Sequence, residues 1–135
     1  MELSKHYGQG PVRIRQIAKA QAIPQRFLEL ILGHLKQTGR VDSRRGVAGG
    51  YFLTVSPSSV SVGDIIRFME GPLDPVKCIG GSEVGTCPLR GRCAFMGLWE
   101  RAKEAVTRVY DGTTFQDLIE DEKRASEEGV PDFCI

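Results

Sequence analysis

The sequence has 135 residues and a formal net charge of +1 at neutral pH, with 41% hydrophobic and 26% charged residues. This length predicts one small domain, or a domain with an attached element, and the ordinary composition excludes wholesale disorder. No apolar run approaches the roughly 20 residues that span a bilayer, and the first residues lack the apolar core of a signal peptide. We therefore expect a cytoplasmic protein with no membrane segment.

The small net charge conceals an uneven distribution. Residues 1–50 carry nine lysines and arginines against three acids, a net of +6, whereas residues 111–135 carry two against eight, a net of −6. A basic front half favours an anionic partner, and double-stranded DNA is the first candidate. Solvated surface charge gives the same pattern, so the charge alone does not decide between them.

The first predicted elements in chain order are helices. Residues 3–7 match the end of a helix, and an apolar period predicts a second helix over 13–22, which Pro24 ends. A third helix is predicted over 24–38, with Gly39 where a C-terminal cap belongs. Two short helices joined by a turn of three or four residues predict a helix-turn-helix. The apolar face of the third helix is predicted to comprise Phe27, Leu28, Ile31, Leu32 and Leu35.

A β-hairpin is predicted after the helix-turn-helix. Its strands fall at 40–43 and 51–55, and the connection between them is Arg44-Arg45-Gly46-Val47-Ala48-Gly49-Gly50. The glycines permit positive φ and let the backbone approach another molecule closely, while the two arginines supply charge. A helix-turn-helix followed by such a hairpin is a winged helix.

The remaining half of the chain is predicted to be helical with one long loop. A capping box predicts a helix over 62–70. Residues 72–92 are rich in glycine and proline and predict a loop of about 20 residues. A long helix is predicted over 94–110, and a second capping box at Thr114 opens another helix. The acidic residues from Glu120 onward predict a loosely ordered tail.

The long helix carries an apolar stripe wide enough to pack on its own domain and on a partner helix. Pattern alone favours core over interface. The stripe comprises Phe95, Leu98, Trp99, Ala102, Ala105, Val106 and Val109.

These elements predict a mainly α fold with a small β-hairpin wing: a winged helix-turn-helix followed by a long helix. We expect residues 1–75 to form the winged helix-turn-helix DNA-binding region. Residues 76–135 are expected to hold a cysteine-containing loop, the long helix, to which the family resemblance given next assigns dimerisation, and an acidic tail.

The wing sequence Arg45-Gly46-x-x-Gly49-Gly50-Tyr51-x-Leu53 resembles the signature of the Rrf family of winged-helix bacterial transcription regulators. Residues 62–66 and 70–73 resemble the region that follows the wing in that family. The resemblance covers nearly the whole chain and implies a homodimer in which the long helix crosses its twin. Family members carry a longer first helix, so the short start predicts a truncated product or a late start site.

Three cysteines lie at or beside the predicted loop, with the spacing Cys-x8-Cys-x5-Cys: Cys78, Cys87 and Cys93. Iron–sulfur clusters are held by several thiolates that converge on one core. Zinc prefers a close Cys-x2-4-Cys pair, which is absent. Spacing alone is as compatible with ordinary free thiols as with a metal site.

The family resemblance favours an iron–sulfur cluster, either 2Fe-2S or 4Fe-4S, because three cysteines in this loop mark the cluster-binding branch. That branch carries a histidine three residues after the third cysteine, where this chain has Met96. The fourth ligand therefore stays open. Cys134 lies in the tail and is not expected to bind the cluster.

The helix after the turn is expected to enter the major groove of DNA with its N-terminal residues first. Glutamine pairs with adenine, arginine with guanine, and glutamate accepts from cytosine. Arginines at the wing tip are suited to a minor groove or to phosphates, and other cations to phosphates. The predicted DNA-binding residues are Gln25, Arg26 and Glu29 for base edges, Arg44 and Arg45 for the wing, and Arg13 and Lys36 for phosphates.

The sequence therefore predicts a transcription regulator whose operator binding is controlled by a cluster that senses redox state, nitric oxide or cluster supply. An enzyme is not expected, since no catalytic triad, Cys/His pair or phosphate loop is visible. One alternative is a cluster-free regulator of the same fold that senses thiol oxidation or a partner protein. Another is a structural-zinc adaptor that binds protein. The apolar residues 130–135 predict a protein partner at the tail.

Overall fold

The computed structural model describes residues 1–80, 85 and 87–127. The chain packs as two units, one formed by residues 1–60 with the C-terminal part from residue 114, the other by residues 61–113. The predicted boundary after residue 75 is different in kind, because it separates the expected DNA-binding region from the expected cysteine loop and long helix. The two units described here are defined by packing alone. In the described part of the chain, no helix is long and apolar enough to cross a bilayer.

The described elements are mostly helices with one β-hairpin, which confirms the predicted fold class. In chain order they are α1 (Glu2–Lys5), α2 (Ile14–Ala20), α3 (Gln25–Lys36), β1 (Val41–Arg44), β2 (Gly50–Leu53), a 3-10 turn (Pro57–Ser59), α4 (Val62–Glu70), α5 (Lys77–Gly80), α6 (Met96–Gly112) and α7 (Phe115–Glu127).

The helix-turn-helix packs around a small apolar core. Ile17 of α2 packs with Leu28 and Leu32 of α3, which lie one turn apart on the same side of their helix. The prediction that Phe27 belongs to this buried face is wrong, because Phe27 is 57% exposed. Each residue turns the helix by about 100°, so Phe27 lies at the edge of the face that Leu28 centres. The buried core comprises Leu3, Val12, Ile17, Leu28, Leu32 and Val41.

The turn between α2 and α3 places a non-glycine residue in the left-handed region. Ala22 has φ of 49°, and the next amide, that of Ile23, donates to the carbonyl of Ala18 at 3.0 Å. An L-residue in this region costs roughly 1–2 kcal/mol, and glycine avoids most of that cost. The turn is therefore held in place by its hydrogen bond and by the packing of the two helices.

Replacing Ala22 with glycine is expected to raise the free energy of unfolding by up to about 1 kcal/mol, since relief of the backbone cost exceeds the added entropy of the unfolded chain. Ala20→Gly, at the exposed last residue of α2, is the matched control and is expected to lower it by up to about 1 kcal/mol. Urea unfolding at one protein concentration measures both. Equal losses for the two variants would contradict the strain assigned to Ala22.

The wing is an antiparallel hairpin fixed to the segment before α2. Arg44 pairs with Gly50 at its outer end, so Arg44 ends β1 rather than lying in the connecting tip as predicted. Val12 and Tyr51 exchange two backbone hydrogen bonds, at 2.8 and 2.9 Å. A side chain on Gly50 would overlap the carbonyl group of Val12. The glycine at position 50 is therefore required for this close approach.

The second unit is built from α4, α5 and α6. The predicted capping box is confirmed: the Ser61 hydroxyl accepts from the Asp64 amide at 3.0 Å, and the Asp64 carboxylate accepts from the Ser61 amide at 3.3 Å. Arg67 of α4 forms an ion pair of 2.7 Å with Asp111 of α6. The prediction of an unbroken loop over 72–92 is wrong, because a turn of helix, α5, lies within it.

The acidic C-terminal region is helical further than the sequence indicated. The predicted loosely ordered tail from Glu120 is wrong up to Glu127, the last described residue, because α7 extends over Phe115–Glu127. Ile119 is buried, and Glu122 accepts a 2.6 Å hydrogen bond from Lys5 of α1, so this acidic helix is packed on one side and one of its acids is paired with α1. The predicted apolar patch at 130–135 lies outside the described residues.

Candidate nucleic-acid interface and cysteine segment

The start of α3 presents the predicted base-reading side chains to solvent. Gln25, Arg26 and Glu29 are all exposed. The amide nitrogen Nε2 of Gln25 donates to Oε1 of Glu29 at 3.1 Å, which places an amide and a carboxylate side by side one turn apart. Such a pair offers both donors and acceptors to the edges of bases.

The predicted cations of the wing lie around one shallow basic hollow. The guanidinium of Arg44 lies 5.8 Å from the centre of the Phe52 ring, and that of Arg13 donates to the Val47 carbonyl at 2.8 Å. Arg45 is exposed and lines the same hollow. Sequence reasoning missed Arg15, which also lines it. Arg15 could have been identified from the sequence, because it follows Arg13, which was predicted to contact phosphate, by two residues.

Lys36 joins the end of α3 to β1. Its Nζ atom donates to Oγ of Ser43 at 2.7 Å and lies 3.2 Å from Oδ1 of Asp42. The backbone N–H of Ser43, and secondly Lys36, hold the pKa of Asp42 below its usual value. The charge of Lys36 is thus partly compensated within the protein. A phosphate contact by Lys36 stays a prediction.

The three predicted cluster ligands are half-buried thiols. Cys78 lies on α5, Cys87 in the following segment and Cys93 just before α6, and none of them forms a disulfide. Their chemistry suits a cluster, because each supplies one thiolate. Within the described residues, however, no three metal-ligating side chains come together as a metal site. Residues 81–84 and 86, and the predicted non-ligand Cys134, lie outside that part.

A buried carboxylate joins the cysteine segment, by which we mean residues 72–93, to the long helix α6. The side chain of Asp74 is 8% exposed, and Nζ of Lys103 in α6 lies 2.5 Å from its Oδ1. Within the described chain, the carboxylate has this ion pair and no further hydrogen bond. A side chain on Gly80 of α5 would overlap the same carboxylate. No sequence pattern indicated that Asp74 links α5 to α6, because that link depends on how the elements pack.

The apolar stripe of α6 is largely uncovered. Phe95, Leu98, Val106 and Val109 are 60%, 45%, 43% and 62% exposed. Trp99 is half-buried, and its ring stacks on that of Phe95 with centroids 6.3 Å apart. No residue of α6 is buried within the described chain, so these side chains do not form a core.

A helix-turn-helix whose second helix begins with exposed polar side chains, together with a basic, glycine-rich wing, defines a DNA-binding protein of the winged-helix class. Residues 1–121 match the model of the Rrf2 family, which is described as an iron-dependent transcriptional regulator. The chain belongs to this family, as the sequence predicted. It is a transcription regulator and not an enzyme, in agreement with its relatives.

Individual relatives agree in sequence and in fold. The HTH-type transcriptional regulator CymR of Bacillus subtilis is 37% identical over 118 residues, which cover 87% of this chain and 79% of that protein. Its solved structure, titled as the global cysteine regulator, gives a TM-score of 0.69 and covers 87% of this chain and 84% of that one.

Two further solved structures extend the comparison. T. potens IscR is 31% identical, with a TM-score of 0.74, and the match covers 92% of this chain and 80% of that one. The oxidized form of Staphylococcus aureus CymR is 32% identical, with a TM-score of 0.64 and coverage of 87% and 83%. The chain is therefore similar to regulators of both names.

Proposed function

We propose that the protein is a homodimeric regulator that binds its operator through α3 and the wing, and whose binding is controlled at Cys78, Cys87 and Cys93. The observation that carries the DNA-binding part is the basic hollow of the wing, which Arg13, Arg44 and Arg45 line in a unit whose helix α3 also begins with exposed polar side chains. Phosphates supply most of the affinity of such proteins, and base edges supply the specificity.

The dimer is supported by the spacing of the uncovered residues on α6. The spacing from Phe95 to Val109 alternates three and four residues, the period of helices that pair along a seam. Each exposed side chain on such a seam would pack against the same seam of a second copy, related by two-fold symmetry. The seam comprises the exposed residues Phe95, Leu98, Ala105 and Val109 together with the half-buried Ala102. A dimer would present two α3 helices to two half-sites.

An iron–sulfur cluster at the three cysteines is the signal input that we favour. The three free thiols and the family's description as iron-dependent support it, as does the likeness to IscR. A bound cluster would supply a centre that responds to redox state, nitric oxide or cluster supply.

Thiol oxidation is the second candidate input. The likeness to CymR, including the structure titled as its oxidized form, supports a regulator that reacts through its cysteines without a cluster. Iron and sulfide analysis after anaerobic purification separates the two candidates. The third alternative, a structural-zinc adaptor, has no support among the relatives, which are transcription regulators. A protein partner at the tail and a cytoplasmic location remain predictions.

The packing in the second unit offers a route from the cysteines to the dimer. Cys78 lies on α5, whose Gly80 lies against Asp74, and Asp74 is paired with Lys103 of α6. A ligand or an oxidation that moves α5 would therefore displace the Asp74 carboxylate, which forms an ion pair with Lys103 of the long helix. That helix carries the seam, so a local change at Cys78 would alter how two copies meet.

Replacing both Arg44 and Arg45 with alanine is expected to weaken DNA binding and to reduce the slope of log affinity against log salt by up to about 2, one for each phosphate that is no longer neutralised. The operator is first selected from a randomised DNA library with the wild-type protein. Fluorescence anisotropy at several salt concentrations then measures affinity and slope.

The matched control for the wing removes the same charge elsewhere in the first unit. Lys123 and Arg124 are exposed on α7, and changing both to alanine is expected to leave the slope unchanged. If the wing variant keeps the wild-type slope and affinity, the wing does not contact DNA. If the library yields no selected sequence at all, the proposed function is wrong.

A further inference from the structure

The exposed side of α3 is apolar as well as polar. Leu30 is 62% exposed and Phe27 is 57% exposed, although both lie on a helix whose opposite side forms the core. Arg26, Leu30 and Gly33 follow at i, i+4 and i+7, so they form one row along the solvent side. More than half of each of these large apolar side chains is left uncovered by the packing of the protein itself.

Gly33 is also unexplained by the protein's own packing. It lies inside α3, where glycine is the poorest residue apart from proline. A side chain at this position would meet no atom within 4 Å, and the backbone has helical φ, so neither space nor conformation requires glycine. Close approach of another molecule to this side of the helix would require it.

We propose that Leu30, flanked by Phe27, contacts the C5-methyl group of a thymine in the major groove, and that Gly33 leaves room for the DNA beside it. This inference rests on the proposed function. Thymine presents a methyl group in the major groove, and apolar side chains recognise it there. Arg26 on the same row and Arg45 on the wing favour a polyanion over an apolar protein surface as the occupant.

The test removes the methyl group from the DNA and the side chain from the protein. Each thymine of the selected operator is replaced in turn by deoxyuracil, which lacks the methyl group but pairs identically. We expect wild-type affinity to fall three- to tenfold at one position in each half-site. Leu30→Ala should lose a similar factor on the natural operator and should then be indifferent to deoxyuracil there. Leu30→Met, which keeps an apolar side chain, should retain most of the wild-type preference.

Gly33→Ala supplies an independent readout, because stability and binding should change in opposite directions. The variant is expected to melt at a higher temperature than wild type and to bind the operator at least fivefold more weakly. Gly97→Ala is the matched control, since Gly97 is another exposed helical glycine with open space around it. It should raise the melting temperature without weakening binding.

The outcomes separate this inference from the proposed function. If wild type binds the operator but no thymine substitution weakens binding, or if wild type and Leu30→Ala are weakened equally, Leu30 does not read a methyl group and the regulator assignment stands. Unchanged binding by Gly33→Ala would overturn the close approach at that position. A wild-type protein that selects no DNA would overturn both.

Discussion

Replacing Ala102 with glutamate is expected to convert the protein to monomers and to remove detectable operator binding. Ala102 is half-buried and lies in the middle of the seam on α6, between the exposed Leu98 and Val109. In a paired helix arrangement the new carboxylate would be buried without a partner, at a cost of about 3–5 kcal/mol for each copy. Every 1.4 kcal/mol is tenfold in an equilibrium constant, so dimerisation should weaken by several orders of magnitude.

A matched control adds the same charge to the same helix away from the seam. Gly97 is exposed, and a side chain there meets no atom within 4 Å. Gly97→Glu places an acid in the first turn of α6, where the helix dipole favours it, and should leave the dimer intact. Sedimentation equilibrium measures the oligomeric state of both variants. A dimer that survives Ala102→Glu would show that another surface forms the interface.

Local rules predicted the elements of the DNA-binding unit. The apolar period of α2 and α3 required one buried side, Pro24 set the helix boundary, and the glycine-rich connection between two strands required a hairpin. Gly50 shows why this signal was strong, since the backbone of Val12 lies where a side chain would be. At such a position the residue type alone indicates the local structure, because only glycine leaves enough space for it.

Features that depend on packing were not predictable from the sequence. The periodicity placed Phe27 in the core because the helix is apolar on two sides, and pattern alone does not say which side meets solvent. The helical extent of α7 depends on the burial of Ile119 and on the bond between Lys5 and Glu122, residues far apart in the sequence. The link that Asp74 forms between α5 and α6 likewise depends on its contacts with Gly80 and with Lys103, which is distant in the sequence.

The candidate site also has features that were predictable from local structure and features that depend on packing. The exposure of the proposed DNA-binding residues was predictable, because exposure at a helix start and at a wing tip follows from local structure. Arg13 and Lys36 were identified as cations, but their bonds to Val47 and Ser43 depend on how the wing lies beside the helices. For the cysteines, spacing identified three thiol donors, whereas their convergence depends on a segment whose arrangement no spacing determines.

The second large effect is expected at the cysteines. After anaerobic purification, serine at Cys78, Cys87 or Cys93 should abolish the visible absorbance of the protein and remove its iron and acid-labile sulfide. Each thiolate is one of only three in the segment, and a serine hydroxyl is a far weaker ligand for iron, so the loss of any one leaves too few ligands. Absorption spectra, with iron and sulfide analysis of each variant, measure the result.

Cys134→Ser is the control for this series, because it removes a thiol while the three cysteines of the segment remain. It is expected to keep the wild-type spectrum and iron content. If the three segment variants keep their iron, or if Cys134→Ser alone loses it, the ligand assignment is wrong. If the wild-type protein is colourless and free of iron, but mild oxidation changes its operator binding and Cys78→Ser abolishes that response, the thiols themselves are the sensor. The cluster and the thiol mechanisms thus make opposite predictions for the wild-type spectrum, while both require the same segment beside α6.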